Sequence, residues 1–259
     1  MEKIVAVAAS LAVFVIWEAA RPFYSFERGH WLRSGQNALV GATNALLTSL
    51  LFAGVMAWTL SPATTEPFGL LGLIAIPEWA RLVLTLLVLD LWTYWWHRFN
   101  HTVPFLWRFH RAHPTDIEMG ATTAFRFHPV EIIFSSVLRV PLILLLGLKP
   151  EGLLWYEVIL TVSIVFHHSN ISVGTKADSL LRTVVVSPVM HKLHHSVKPA
   201  EFSSNYSSTL STWDRLFKSW TETDEPEAIK LGLNIYRDTR WQSYPGIMTT
   251  PFRRSGSIR

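Results

Sequence analysis

Apolar residues in this chain come in long blocks, not in the three-four rhythm of a soluble amphipathic helix. The first block is Ile4–Ala20, IVAVAASLAVFVIWEAA. Its leader, MEK, is nearly neutral and the block runs on into RPFYSF, which predicts a retained helix in preference to a cleaved signal. The second, Ala38–Leu60, is long enough to span, since a bilayer's hydrocarbon takes about 20 apolar residues as a helix. SPATTEPFG then reads as a turn by composition. A short piece, Leu70–Ile76, ends at Pro77 and is expected to lie in the interface. Trp79–Trp96, WARLVLTLLVLDLWTYWW, is the next span. Trp and Tyr favour the membrane–water boundary, so this helix is expected to emerge near Trp95–His97. Val130–Leu148 and Leu153–Phe166, split by KPEG, predict a helical hairpin. Arg139 and Glu157 lie inside it, and charges at that depth are costly unless paired or snorkelled. From His167 onward the chain is soluble in character. Beyond about Thr223 it is polar, with a basic end, PFRRSGSIR, expected to be mobile.

Composition supports the membrane reading. Hydrophobic types make up 49% of the 259 residues and charged types 16%, against about 25% in ordinary soluble domains. The net charge of +4 comes from scattered basic residues, which fits loops near anionic lipid and not a nucleic-acid partner. The loop after the first span carries Arg21, Arg28 and Arg33, the loop after the second only Glu66 and Glu78, and the segment after the third Arg98, Arg108, Arg111 and Arg126. The positive-inside rule then puts the N-terminus outside, and residues 97–128 and 167–259 on the cytoplasmic side. Those two segments hold ten of the eleven histidines, gathered on one face of the membrane at the ends of its helices.

The chain has no cysteine, which removes disulfides, thiolate-bound zinc, iron–sulfur clusters and thiolate-ligated haem. Any metal is left to His, Asp, Glu or carbonyl groups. His97 and His101 form H-x3-H at the end of the third span, His110 and His113 form H-x2-H nine residues on, His167-His168 follows the last apolar run, and His191, His194 and His195 form H-x2-H-H. On a helix, positions i, i+3 and i+4 share a face, so each group is able to converge on one ion. A single pair is more often surface or core histidine; four groups on one membrane face point to metal, and eight or more nitrogens point to two ions. Imidazole suits zinc, copper, iron and nickel. No histidine is followed by Glu, so the H-E-x-x-H zinc-protease pattern is missing. The one E-x-x-H, Glu27–His30, lies far from the groups in sequence.

The order DLWTYWWHRFNH, LWRFHRAH, FRFHPVE, FHHSN, SPVMHKLHHS, NYSSTLSTWDRLF resembles the fatty acid hydroxylase/sterol desaturase superfamily, over about residues 80–220. The resemblance implies an all-α, multi-pass membrane helical bundle with a cytoplasmic helical histidine-rich metal-binding cap. It divides the chain into N-terminal transmembrane helices (1–96), a catalytic domain (80–220) that includes the hairpin at 130–166, and a polar tail (221–259). It implies that His97, His101, His110, His113, His168, His191, His194 and His195 hold two iron ions. His167 is then an extra ligand or a neighbour, and His128 a ligand or a group that braces one. One departure stands out: the second motif is normally H-x2-H-H, and Pro114 replaces its last histidine, so one metal is expected to lose a ligand.

Asp90, Tyr94 and His97 lie at i, i+4 and i+7 of one helix, so the carboxylate is placed to accept the other N–H of a ligand imidazole or to pair with a neighbouring helix. Asn170, Asn205 and Asp214 sit in the matched segments as ligand-orienting groups, although Asp214 reads somewhat better as a surface pair with Arg215 or Lys218. The implied activity is hydroxylation or desaturation of a C–H bond in a lipid or sterol-like substrate drawn from the bilayer, with dioxygen as co-substrate and an external electron donor of reductase or ferredoxin type. Two other readings stay open here: a non-catalytic membrane metal-binding or scaffold protein with a degenerate site, and a metal-dependent hydrolase or transporter.

Overall fold

The computed structural model describes residues 2–59 and 69–253. The long helices are α1 (Glu2–Ala20), α2 (His30–Thr59), α4 (Glu78–Thr102), α6 (Pro129–Leu146) and α7 (Pro150–His168); α3 (Gly69–Gly72) and α5 (Pro104–His110) are short connectors. Five short helices follow, α8 (Thr175–Leu181), α9 (Pro188–His194), α10 (Pro199–Phe202), α11 (Thr212–Leu216) and α12 (Tyr244–Thr249). The described residues hold no strand, only three isolated bridges, so the chain is all-helical as its apolar blocks predict. The turn expected over 61–69 lies outside the described residues apart from Gly69.

Local chemistry sets the boundaries. Proline stands in the first turn of α5, α6, α7 and α9, where its missing N–H and fixed φ cost nothing. Gly147 ends α6 in the left-handed conformation, at φ 68. Gly69 meets it so closely that a Cβ there would fall 2.3 Å from the Gly147 nitrogen. α4 does not stop at Trp96 but runs unbroken to Thr102, which carries His97 and His101 on the same rod as the apolar block.

Among the described residues α6 is the one helix long and apolar enough to cross a membrane, and only 11% of it is buried. The Arg139 guanidinium meets the Glu157 carboxylate at 2.5 Å across the α6–α7 hairpin and lies over the Tyr156 ring at 5.8 Å. The two charges are therefore paired, as their position in an apolar hairpin requires.

α7 is the organising element, packing against α1, α4, α9 and a 3₁₀ turn at Ala121–Phe125. The interior is a set of small clusters. Leu71, Leu89, Leu148 and Tyr156 pack at the hairpin end. Ala121, Ala124 and Val165 pack under Phe14 and Val15 of α1. Met119, Leu193, Ile229 and Leu231 form a third cluster with Tyr24, and Val40, Ala112 and Ile247 a fourth.

Those last two clusters draw in residues of the tail. Residues beyond Thr223 are folded onto the histidine-bearing segments, with Ile229, Leu231, Leu233, Trp241 and Ile247 buried. Each such side chain contributes about 1.5–3 kcal/mol. The Val197 N–H donates to the Lys230 carbonyl at 2.8 Å and the Gly232 N–H to the His195 carbonyl at 3.0 Å, so the tail braces the HKLHH segment directly. Of PFRRSGSIR, only Pro251, Phe252 and Arg253 are described, and Pro251 is buried. The fully buried Arg126 ties the pieces together by donating to the carbonyls of Ala112 and Trp241, to Asn37 Oδ1 on α2 and to Thr115 Oγ1. The α1–α2 loop also comes to this end of the molecule. His30, left apart in the sequence reading, is buried beside Glu118, which pairs with Arg33.

Candidate metal centre

The eight histidines converge as two groups of four. His97, His101, His110 and His194 form one and His113, His168, His191 and His195 the other; in each, one nitrogen per ring lies within 4.8 Å of all the others. The grouping cuts across the motifs. α5 ends at His110, and the chain then turns, so His113 faces the second group. α9 ends at His194, and His195 is its cap at φ −88, ψ 10. The expectation that His191, His194 and His195 share one target fails for this reason: His191 and His195 turn to the second group and His194 to the first. Both groups have four members without a histidine at position 114, where Pro114 is buried.

Hydrogen bonds settle which nitrogens are free. A carbonyl or carboxylate only accepts, so a ring nitrogen facing one carries the proton and leaves the other as a lone pair. His97 Nδ1 donates to the Tyr206 carbonyl at 2.8 Å, His194 Nδ1 to the Ser204 carbonyl at 2.6 Å, and His110 Nδ1 to Glu131 Oε1 at 2.8 Å. In the second group His168 Nδ1 donates to the Ile164 carbonyl at 2.6 Å. Each then presents a bare Nε2 to its group. His168 Nε2 lies 3.1 Å from His113 Nε2 and 3.0 Å from His191 Nε2, and one lone pair cannot serve two donors equally. His101 Nε2 lies 3.1 Å from His110 Nε2, and His97 Nε2 and His194 Nε2 have no partner at all. Buried lone pairs aimed at one another are what a cation relieves, and the donor set fits a metal ion in each group.

Burial disfavours the charged form of several of these rings. It pushes the His194 imidazolium down to about 3 and holds His113, His191 and His195 well below the ordinary histidine range, with neighbouring histidines adding to the effect. His113 stacks on Phe127 at 4.1 Å. The first group is more open, since His97 and His101 are only partly buried, and Trp107, Phe202 and Tyr206 stand around it.

The remaining sequence candidates fall in several places. His128 caps α6, its Nδ1 accepting from the Val130 N–H at 3.2 Å, and its ring lies between Phe109 and Phe252, outside both groups. His167 is buried with its ring 3.9 Å from that of His191, and it too lies outside both groups. Asp90 Oδ2 accepts from the Trp213 indole and the Leu210 N–H, so it fastens α4 to α11 and does not reach His97. Asp214 is fully buried, which removes the surface-pair reading. It accepts from the backbone of Tyr206 and Ser207 and from Ser219, so it fixes the peptide whose carbonyl holds His97. Asn205, at φ 54, locks the same loop through Met190, Thr221 and Ser219. Asn170 clasps both the N–H and the carbonyl of Tyr24 and so ties the α1–α2 loop to the end of α7. Asp214→Ala is expected to weaken metal affinity of the first group by about 10–100-fold while sparing the second, as a chelator competition would show.

Two participants escaped the sequence reading. Glu131 sits in the first turn of an apolar helix, where an acid reads as a helix-dipole residue. Lys192 lies inside HKLHH yet is fully buried; its ammonium donates to the Ser169 carbonyl at 2.9 Å, and burial pushes it down to about 8. It binds α9 to the end of α7.

The sequence has relatives. Residues 82–219, just over half the chain, match the model of the fatty acid hydroxylase family, and the chain belongs to that family. Among individual proteins, it is 29% identical over 154 residues to ornithine lipid hydroxylase OlsE of Rhizobium tropici, covering 59% of this chain and 45% of that one. It is 27% identical over 150 residues to alkylglycerol monooxygenase of Xenopus tropicalis, covering 58% and 32%, and 28% identical over 181 residues to fatty acid hydroxylase vlmA of a Lecanicillium species, covering 64% and 49%. The matches thus span from a third to a half of these relatives' lengths. No solved structure matches.

Proposed function

We propose that this protein is a membrane lipid hydroxylase with a two-iron centre, His97, His101, His110 and His194 holding one ion and His113, His168, His191 and His195 the other. The observation that carries the reading is the set of buried Nε2 atoms aimed inward at one another, those of His97, His194 and His195 with no hydrogen-bond partner at all. When bound, the two irons supply activation of dioxygen, so that one oxygen atom enters an unactivated C–H bond and the other leaves as water with two electrons and two protons from an external donor. The chain's own residues do the rest. Nδ1–H groups donating to the Tyr206, Ser204 and Ile164 carbonyls and to the Glu131 carboxylate hold four imidazoles in the ligating tautomer. Burial of the second group keeps bulk water away, and the more open first group faces the substrate.

The relatives' names support hydroxylation over desaturation and a lipid over a soluble substrate. Apolar side chains exposed on α1, α2, α4 and α7 as well as α6 support a multi-pass bundle that admits substrate sideways from the bilayer. In this arrangement the histidine-rich end is cytoplasmic and the N-terminus is outside, as the loop charges require.

The test is metal content and turnover of protein purified anaerobically with ferrous iron. Two irons per chain, and transfer of labelled oxygen from dioxygen into an ornithine lipid, alkylglycerol or fatty acid, are expected. One ion or none would return the chain to the scaffold reading. Two ions without oxygen consumption on any lipid would favour a hydrolase.

A further inference from the structure

The eight imidazoles are not braced alike. Four have a proton acceptor behind them: His97, His110 and His194 in the first group and only His168 in the second. The outer Nδ1 atoms of His101, His113 and His191 have no partner, and neither nitrogen of His195 has one. Three of the four acceptors are neutral carbonyls. The fourth is a carboxylate, Glu131, which alone among the described residues accepts from a ring in either group.

Glu131 is built into its place. It is buried in the first turn of α6, its Oε1 takes both the His110 Nδ1–H at 2.8 Å and the Asn100 amide at 3.1 Å, and its Oε2 has no hydrogen-bond partner. α4, α5 and α6 thus each give one residue to a His110–Glu131–Asn100 clamp. A carboxylate behind a ligating imidazole fixes its tautomer and raises its basicity, whereas a carbonyl does the first with far less of the second. In a shell otherwise made of neutral rings this is the one anion coupled to a ligand, and it serves only one of the two positions.

We propose that Glu131 is a positioning residue that makes the two metal positions unequal: the ion held by His97, His101, His110 and His194 is bound more tightly and is the more electron-rich of the two. The inference rests on the two-metal reading above. The experiment compares wild type, Glu131→Gln, Glu131→Ala and Asn100→Ala, all loaded with ferrous iron, by release to a chelator and by Mössbauer spectroscopy. Wild type should release iron in two phases and show two distinct iron signals. Glu131→Ala should speed the slow phase by about 10–100-fold and leave the fast phase alone. Glu131→Gln keeps an acceptor for His110, so it should retain two irons while shifting one signal. Asn100→Ala should move the same phase by less. The proposal is overturned if wild type releases both irons in a single phase, if both phases change together, or if Glu131→Gln leaves both signals in place. Wild type holding fewer than two irons would instead overturn the two-metal reading itself, so the two failures are distinct.

Discussion

Protein carrying His194→Ala should keep one iron and lose its activity. His194 brings a bare Nε2 to the first group, fixed there by the Ser204 carbonyl, and alanine leaves three rings around that position. The second group loses none of its members. Metal content should therefore fall from two per chain towards one, not to zero. Turnover should fall by more than about a thousandfold, equivalent to about 4 kcal/mol on the barrier, because the proposed two-metal centre would lose one of its positions outright. His195→Ala should do the same at the second group, although the two residues are neighbours in the chain. The informative contrast is His128→Ala. That ring caps α6 and touches neither group, so its loss should cost about 0.5–2 kcal/mol of stability and leave two irons in place. If His194→Ala kept both irons, or His128→Ala lost one, the grouping would be wrong.

The histidines that converge here were legible in sequence because they stand at short helical spacings, and such spacings survive in the linear chain. What the spacings could not reveal was which ring joins which group. That depends on where helices stop. His110 and His113 read as a pair but part company because α5 ends at His110, and His194 and His195 separate at the end of α9. Pro114 stands where the family's second motif carries a histidine, and each group still gathers four rings without it, because the groups draw on several motifs at once. Glu131 was hidden by its context, an acid in the opening turn of an apolar helix, and Asp214 by an adjacent arginine that suggested a surface pair. The tail's docking was not legible because its anchors, Ile229, Leu231, Trp241 and Ile247, are too widely spaced to form a periodic signal. They become a unit only when the histidine segments supply the other face.

Metal-free protein should lose stability steeply as pH falls from about 7.5 to about 5.5. His113, His191, His194 and His195 lie beyond the long apolar helices and are buried, and their imidazolium forms are disfavoured, with His194 down to about 3. In the unfolded chain each titrates near 6.5. Between the folded and unfolded values the unfolded chain binds protons that the native one refuses, so stability rises with pH across that window and is lost as pH falls through about 6.5. One pH unit below that point His194 alone costs about 1.4 kcal/mol, and His113, His191 and His195 add to it in the same direction. Bound iron should oppose this, because an ion that binds only the native state adds stability by mass action. Thermal unfolding in detergent, with and without iron, at the two ends of that pH range would measure both effects. The iron-free protein should show the larger drop, and a curve flat in pH would mean that these rings are not buried neutral. The same depressed values carry a second consequence. The ligands already present lone pairs at neutral pH, so iron uptake near pH 7 should release less than about one proton per ion, as a weakly buffered titration would record.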